Sequence, residues 1–190
     1  MASHSQRPQG ERLVVGITGR IGSGKTTVGR YLELRYRFQY LRYSEVLAEW
    51  LAKDPESKAQ LQKVGWEVMA GGMQAELNRR LIGRITPDVD AAVDGLRHPL
   101  DYDTLSNSFS ASFRLLFIDS PPRLRFERLN QKGKYADSAS FAVADSHPVE
   151  QHIDSLGMNA TLLIHNQGSL QDIYAAVDEA IRTFRKEGQS

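Results

Sequence analysis

The eight residues Gly19-Arg20-Ile21-Gly22-Ser23-Gly24-Lys25-Thr26 decide how this chain folds. They match the pattern G-x-x-x-x-G-K-T (the P-loop, or Walker A motif), with an apolar run before them and a helical pattern that begins at the lysine. Glycines let a backbone turn tightly enough for successive N–H groups to point at phosphate oxygens. The helix N-terminus and the lysine add positive charge, and the threonine hydroxyl is an oxygen ligand for Mg²⁺. The stretch therefore predicts a site for a nucleoside triphosphate at a strand-to-helix turn.

The motif names the residues that we expect to bind ATP. They include the residue after the motif because it lies in the first helical turn. The predicted set is Gly19, Arg20, Gly22, Ser23, Gly24, Lys25, Thr26 and Thr27.

Around the P-loop, short apolar runs alternate with longer helical patterns. Strands that alternate with helices of ten or more residues indicate a parallel sheet covered by helices on both faces. The expected fold is thus an α/β, three-layer P-loop NTPase fold with a five-stranded parallel sheet. The strands are predicted at residues 13–18, 39–43, 91–94, 113–119 and 161–165, and the clearest helices at 25–35, 99–109, 122–132 and 169–185, the last capped by Ser169.

Two regions interrupt this alternation. Residues 45–85 are too many for one crossover helix and contain Asp-Pro and Gly-Gly breaks, which predicts two or three helices standing partly off the sheet. Residues 133–147 are rich in Gly, Ser and Ala, which predicts a short mobile loop or lid. We expect residues 1–12 to be a disordered N-terminus and residues 13–190 to form a single domain.

The composition excludes several classes of protein. The 190 residues contain no cysteine, which rules out disulfides, thiolate metal sites and a cysteine nucleophile. No apolar run approaches the length of a membrane span, and the polar start does not resemble a signal peptide, so we expect a cytoplasmic protein that is not membrane-bound. The net charge of +1 argues against a nucleic-acid partner.

The charge is unevenly distributed along the chain. Residues 1–43 carry eight basic and two acidic residues, whereas residues 135–181 carry seven acidic residues and no Lys or Arg. Local charge of this kind favours a small anionic ligand over a long polyanion. The three histidines within this acidic segment match no zinc pattern, so no such metal site is predicted.

A second chemical signal is Val93-Asp94-Gly95-Leu96-Arg97, which follows a predicted strand. Ligands of open parallel sheets bind at the carboxyl ends of the strands. There, Asp94 can hold Mg²⁺ through water together with Thr26, and Arg97 can bind an anion with both arms of its guanidinium. A strand end followed by an Asp-Gly turn remains the alternative interpretation.

Taken together, these segments resemble the small P-loop kinases, a group that includes nucleoside monophosphate kinases, dephospho-CoA kinase and archaeal adenylate-kinase-like proteins. The resemblance covers most of the chain. It rests on the P-loop, Leu41-Arg42-Tyr43-Ser44-Glu45-Val46-Leu47, the strand end at Asp94, Phe117-Ile118-Asp119-Ser120-Pro121-Pro122 with the helix after it, and Leu162-Leu163-Ile164-His165-Asn166-Gln167-Gly168-Ser169.

The resemblance implies an ATP- and Mg²⁺-dependent transferase whose partner is a small phosphorylated acceptor. Asp94 would organise Mg²⁺ and Arg97 would grip the acceptor phosphate. Arg128 would lie against ATP, and Lys132 takes the place of a catalytic arginine. With the P-loop lysine, the implied catalytic set is Lys25, Asp94, Arg97, Arg128 and Lys132.

The same resemblance makes the 45–85 helices the acceptor-binding region, with Ser44 and Glu45 facing the acceptor. Glu45 is either a general base for a hydroxyl acceptor or an acidic residue after a Ser helix cap.

Three functional hypotheses remain open at this point. The first is a kinase acting on a nucleoside monophosphate or dephospho-CoA. The second is a shikimate- or gluconate-type kinase, because Val28-Gly29-Arg30 resembles theirs, although no D-x-D follows the second strand. The third is an ATP-binding regulatory or partner protein, because residues 133–150 contain Lys134 and no arginine.

Overall fold

One parallel sheet organises the computed structural model, which describes residues 12–51, 58–150 and 152–188. The strand order is β2-β3-β1-β4-β5, so β1, which leads into the P-loop, is central. Every pair of neighbouring strands is parallel, and their carboxyl ends therefore meet at one edge of the sheet. The strands are β1 (Val14–Thr18), β2 (Gln39–Arg42), β3 (Ala91–Leu96), β4 (Phe113–Asp119) and β5 (Leu162–His165).

Helices cover both faces of this sheet. Two further short 3₁₀ turns lie at Ser110–Ser112 and Pro148–Glu150. The helices are α1 (Lys25–Tyr36), α2 (Tyr43–Trp50), α3 (Lys58–Ala70), α4 (Gln74–Ile82), α5 (Pro99–Phe109), α6 (Pro122–Gln131), α7 (Ser138–Asp145), α8 (Ile153–Met158) and α9 (Leu170–Glu187).

The alternation of side chains along the strands produces two hydrophobic cores. Val14 and Val93 face a core shared with α2, α4 and α5, whereas Val15 and Ile17 face one shared with α1 and α9. Strands buried on both faces need apolar residues at successive positions, and β1, buried at all five positions, has no polar side chain before Thr18. The five-stranded parallel α/β fold predicted from the sequence is thus confirmed.

The structure also refines the two irregular regions. Within the described residues, the predicted acceptor region contains α2, α3 and α4. The segment predicted as a mobile loop contains α7, because the side chain of Asp137 accepts a hydrogen bond from Ser140 N and caps it. Ser169 caps α9 as predicted, whereas α2 begins at Tyr43, so Ser44 is inside that helix and is not its cap.

Two further expectations concern the N-terminus of the chain and the presence of membrane-spanning helices. The predicted disordered N-terminus, residues 1–12, lies almost entirely outside the described residues. Among the helices of the described ranges, none is long and apolar enough to cross a membrane.

Candidate active site

The P-loop forms a tight cradle between β1 and α1. The Lys25 ammonium donates hydrogen bonds to Gly19 O at 2.6 Å and to Arg20 O at 3.1 Å, which draws the lysine back over the loop. Gly24, at φ 111°, precedes α1, and a Cβ there would overlap the amide of Asn166. Only glycine adopts this conformation without strain and leaves room for the contact. The loop thus presents the backbone N–H groups at the start of α1 to the carboxyl edge of the sheet.

Asp94 lies beside this cradle, at the carboxyl end of β3. It is 4% exposed, and its Oδ2 accepts hydrogen bonds from Tyr40 at 2.6 Å and Thr26 at 3.1 Å. Arg42 Nε lies 3.9 Å from the same oxygen. Burial, reinforced by the charge of Asp94, raises the pKa of Tyr40, so its hydroxyl stays protonated and donates to the carboxylate. The tyrosine ring fits over α1 because residue 29 is a glycine. A Cβ at that position would overlap the ring.

The donor atoms here suit Mg²⁺. Thr26 and Asp94 supply a hydroxyl and a carboxylate, and Mg²⁺ is commonly held by one or two such oxygens together with phosphates and water. Among the described residues, no cluster of three or more His, Cys, Asp or Glu forms an all-protein metal site. The site therefore fits an ion that is bound together with its nucleotide.

The opposite side of the cradle is built by α6 and the loop after β5. Arg128 donates to Ser120 Oγ at 2.9 Å and to Asn166 O at 3.0 Å. Asn166 Nδ2 in turn donates to Ser23 O at 2.7 Å, which ties this loop to the P-loop. Burial lowers the pKa of Arg128, but an arginine remains protonated in proteins and keeps its positive charge.

A cavity of about 500 Å³ connects these groups. It runs from the P-loop past Asp94 to Arg97 and on between α2, α3 and α4. Its far end is lined mainly by apolar side chains. The side chains that line it include Lys25, Thr26, Asp94, Arg97, Arg128 and Lys132.

Arg97 meets a buried carboxylate at the middle of this cavity. Its Nη1 hydrogen-bonds Glu150 Oε1, and Glu150 is 0% exposed. The other oxygen of Glu150 accepts a bond from Ile21 N of the P-loop at 3.2 Å. Gln62 of α3 donates to Glu150 at 3.4 Å. The P-loop, the end of β3 and the acceptor region thus share one carboxylate.

Two more acidic residues of the Arg-free segment also pair with arginines from the fold. Arg125 of α6 binds Asp145 with both arms, at 2.5 and 2.8 Å. Arg20 binds Asp154 at 2.7 Å and donates to Asp145 O. These pairs attach α7 to α6 and α8 to the P-loop.

At the far end of the cavity, α4 contributes a buried amide. Gln74 is 4% exposed, and its Nε2 donates to Asp101 Oδ1 at 2.5 Å. Asp101 also accepts backbone bonds from Arg97 N and His98 N at its other oxygen, Oδ2. Gln74 Oε1 is left without a hydrogen-bond partner in the described part of the chain. A buried acceptor of this kind favours a ligand that donates a hydrogen bond.

The structure brings most of the predicted site residues to this cavity. It is lined by Gly22, Gly24, Lys25, Thr26, Thr27, Ser44, Asp94, Arg97, Arg128 and Lys132. The Arg20 side chain turns away to the α7–α8 acids, and Glu45 pairs with Arg42 at 3.1 Å outside the lining. Gly19 and Ser23 form the backbone of the loop beneath it.

Sequence reasoning missed four contributors. Tyr40, Gln74 and Glu150 carry no motif, and Asn166 was noted only as part of the last strand segment. The one sequence signal near Glu150 is a stretch without arginine, and that stretch supports the regulatory hypothesis and does not point to a carboxylate that binds an arginine.

Comparisons with known proteins agree with this geometry, although no model of a protein family matches the chain. A dephospho-CoA kinase of Parasynechococcus marenigrum (strain WH8102) is 27% identical over 189 residues, covering 86% of this chain and 92% of that protein. A UPF0200 protein of Aeropyrum pernix is 26% identical over 181 residues, covering 90% and 93%.

Solved structures share the fold at lower identity. Shikimate kinase from Acinetobacter baumannii, in complex with shikimate, superposes with a TM-score of 0.60 at 17% identity over 90% of this chain and 94% of its own. A gluconokinase from Sinorhizobium meliloti 1021 gives 0.58 at 16% identity over 96% and 99%. The P-loop, the sheet order and these solved structures show that the chain has the fold of the P-loop kinases, and its sequence relatives are similar to it at 26–27% identity.

Proposed function

We propose that this protein transfers the γ-phosphoryl group of ATP to a small phosphorylated acceptor, either a nucleoside monophosphate or dephospho-CoA. The observation that carries the proposal is the single cavity that joins the P-loop lysine to Arg97 past the Asp94 carboxylate. Such a transfer breaks the bond between the β–γ bridging oxygen and the γ-phosphorus and forms a new bond to an acceptor oxygen. It needs positioning and charge neutralisation more than covalent help from the protein.

The side chains divide this work along the cavity. Lys25 and Arg128 lie on the nucleotide side, and Lys132 supplies a further positive charge at the end of α6. Thr26 and Asp94 would hold Mg²⁺, which when bound neutralises phosphate charge. Arg97 lies where the acceptor's phosphate would sit, and a guanidinium binds phosphate with two parallel hydrogen bonds.

The far end of the cavity supports an acceptor larger than a simple sugar acid. It is lined by apolar side chains of α2, α3 and α4, among them Leu47, Met69 and Leu77. Gln74, whose buried side-chain oxygen has no hydrogen-bond partner among the described residues, also lines this end of the cavity. An acceptor with an apolar body and an N–H donor, such as a nucleobase or a pantetheine amide, satisfies both features.

A specific observation favours one second candidate. Between residues 133 and 150, Lys134 is the single Lys or Arg, and it lines the cavity. Lysine lacks the planar fork with which arginine clamps a transferring phosphoryl group. An ATP-binding regulatory role with weak transfer activity is therefore the alternative.

A coupled ADP-release assay over nucleoside monophosphates, deoxynucleotides and dephospho-CoA tests the proposal. We expect turnover on one acceptor class, with Lys25→Ala weakening ATP binding about tenfold or more and Arg97→Ala raising the acceptor KM. Arg182→Ala, on the exposed face of α9, is the matched control and leaves both unchanged.

Two outcomes would contradict the proposal in different ways. Tight ATP binding without turnover on any acceptor would favour the regulatory alternative. Unchanged ATP affinity in Lys25→Ala would remove the nucleotide site itself.

A further inference from the structure

Glu150 is a buried carboxylate for which the phosphoryl-transfer scheme above assigns no role. It follows α7 by a few residues and lies in the 3₁₀ turn Pro148–Glu150. It is completely buried, yet it reaches three separate parts of the site: Ile21 N of the P-loop, Gln62 of α3 and the guanidinium of Arg97. Burying an ionised carboxylate is costly unless it is paired and hydrogen-bonded, and all of its partners here belong to the cavity wall or to the P-loop.

The contact with Glu150 uses only part of the Arg97 guanidinium, so other N–H groups remain to bind a phosphate. Arg97 Nη1 is used by Glu150, and in the described residues its Nε and Nη2 make no hydrogen bond, although the side chain lines the cavity and is 24% exposed. An arginine side chain has several rotatable bonds, and fixing them only when the ligand binds costs rotamer entropy. Glu150 thus holds one arm of the guanidinium, while the remaining N–H groups belong to a side chain that lines the cavity.

A purely structural role is the alternative, and the fold offers a close comparison. Asp90 is a second buried carboxylate, 7% exposed, that accepts a backbone bond from Leu13 N at 2.8 Å and pairs with Arg185 at 3.4 Å. It precedes β3 and therefore lies at the amino edge of the sheet, opposite the cavity. Both residues combine a backbone N–H with an arginine, but only the arginine of Glu150 lines the cavity.

We propose that Glu150 is a positioning residue that fixes Arg97 for the acceptor phosphate and couples that arginine to the P-loop through Ile21 N. The inference rests on the proposed function, because it assigns the purpose of an arginine in the same site. Through this one carboxylate, the acceptor arginine and the nucleotide loop are held in a fixed relative geometry, as in-line transfer between two bound phosphates requires.

The test uses Glu150→Gln in the full-length protein, with Asp90→Asn as the matched control. The glutamine oxygen still accepts the bond from Ile21 N, so the P-loop contact survives, whereas Arg97 loses its counter-charge. We expect kcat/KM for the acceptor found in the ADP-release assay to fall tenfold or more, with the KM for ATP within about twofold of the wild type. Asp90→Asn lowers stability without changing either kinetic constant.

A second readout does not depend on turnover. In the wild type, side-chain NMR signals of Arg97, assigned by their loss in Arg97→Lys, should report slow rotation of a guanidinium held by a carboxylate. In Glu150→Gln, faster rotation of the guanidinium should average the Arg97 signals. In Asp90→Asn, the Arg97 signals should stay as in the wild type. Glu150→Asp, which keeps the charge on a shorter side chain, should restore part of both the acceptor kinetics and the slow rotation.

Each result decides the proposal. If no acceptor is turned over but the Arg97 signals respond as expected, Glu150 still holds Arg97, whereas its role toward an acceptor phosphate fails together with the proposed function. Unaltered Arg97 signals in Glu150→Gln would overturn the positioning role even in an active enzyme. A lower acceptor KM in that variant would also overturn it, because Glu150 would then compete with the acceptor phosphate for Arg97.

Discussion

Replacing Asp145 by Asn should release α7 from the body of the protein. Arg125 is 2% exposed and binds the two oxygens of Asp145 at 2.5 and 2.8 Å. The substitution keeps the size of the side chain but removes its charge, and it points an N–H₂ group at one arm of the guanidinium. The arginine keeps its bonds to Ser120 O and Ile21 O, at 2.9 and 3.1 Å, and at most one uncharged bond to the remaining amide oxygen.

The magnitude follows from the burial of the two partners. Breaking a buried ion pair by removing one partner costs about 3–5 kcal/mol, because the remaining charge is left uncompensated. The Asp145 side chain is 17% exposed and Arg125 keeps two carbonyl partners, so we expect about 2–3 kcal/mol. With a urea dependence of about 2 kcal/mol per molar, the unfolding midpoint falls by about 1 M.

Equilibrium urea unfolding, followed by circular dichroism and tryptophan fluorescence, measures this difference. The matched control is Glu127→Gln, which breaks the ion pair of Arg123 on the same helix. That pair has a similar length, 2.8 Å, but its side chains are 87% and 42% exposed, so its loss should leave the unfolding midpoint close to that of the wild type. If the two variants lost equal stability, the reasoning that a buried pair attaches α7 to the fold would be refuted.

Three further predictions concern single side chains. Tyr40→Phe removes the 2.6 Å hydrogen bond to the buried Asp94 and should lower the free energy of unfolding by about 1–2 kcal/mol; an unchanged urea midpoint would contradict this. Gln74→Met removes the unpartnered acceptor oxygen and should raise the acceptor KM about tenfold while the KM for ATP stays constant; equal changes in both constants would contradict a contact with the acceptor. Burial, together with Asp178, raises the pKa of Tyr36 from 10.0 to about 12, so the protonated side chain stabilises the fold below pH 10 and this contribution is lost as the pH rises to about 12. Alkaline unfolding of Tyr36→Phe should lack that component, and absorbance titration of the wild type should show a tyrosine that ionises late.

Much of the nucleotide half of the site could be predicted because its parts are local in sequence. The P-loop contains its glycines, lysine and threonine within eight residues, and the apolar run before it and the helical pattern after it specify a strand and a helix. The alternation of apolar runs and helical patterns likewise predicted the parallel sheet. Once the sheet is parallel, its strand ends meet at one edge, which brings Asp94 and Arg97 toward the P-loop without any further information.

The lid region shows where local reasoning stopped. Its small residues predicted a mobile loop, but Asp137 caps a helix there. Its acidic residues suggested a site poor in positive charge, but Asp145 and Glu150 neutralise arginines that come from α6 and β3. Composition counts charges along the chain, whereas pairing depends on which charges the fold brings together.

The sequence by itself therefore determined the fold class, the phosphate cradle and the side chains that follow the strands, since each depends on neighbouring residues. Only the tertiary structure decided how the cradle is connected to the rest of the site. Glu150 meets Ile21 across 129 residues, and Asn166 meets Ser23 across 143. Such contacts leave no periodic or compositional trace, because their energy comes from burial and pairing that exist only after the sheet and its helices have packed.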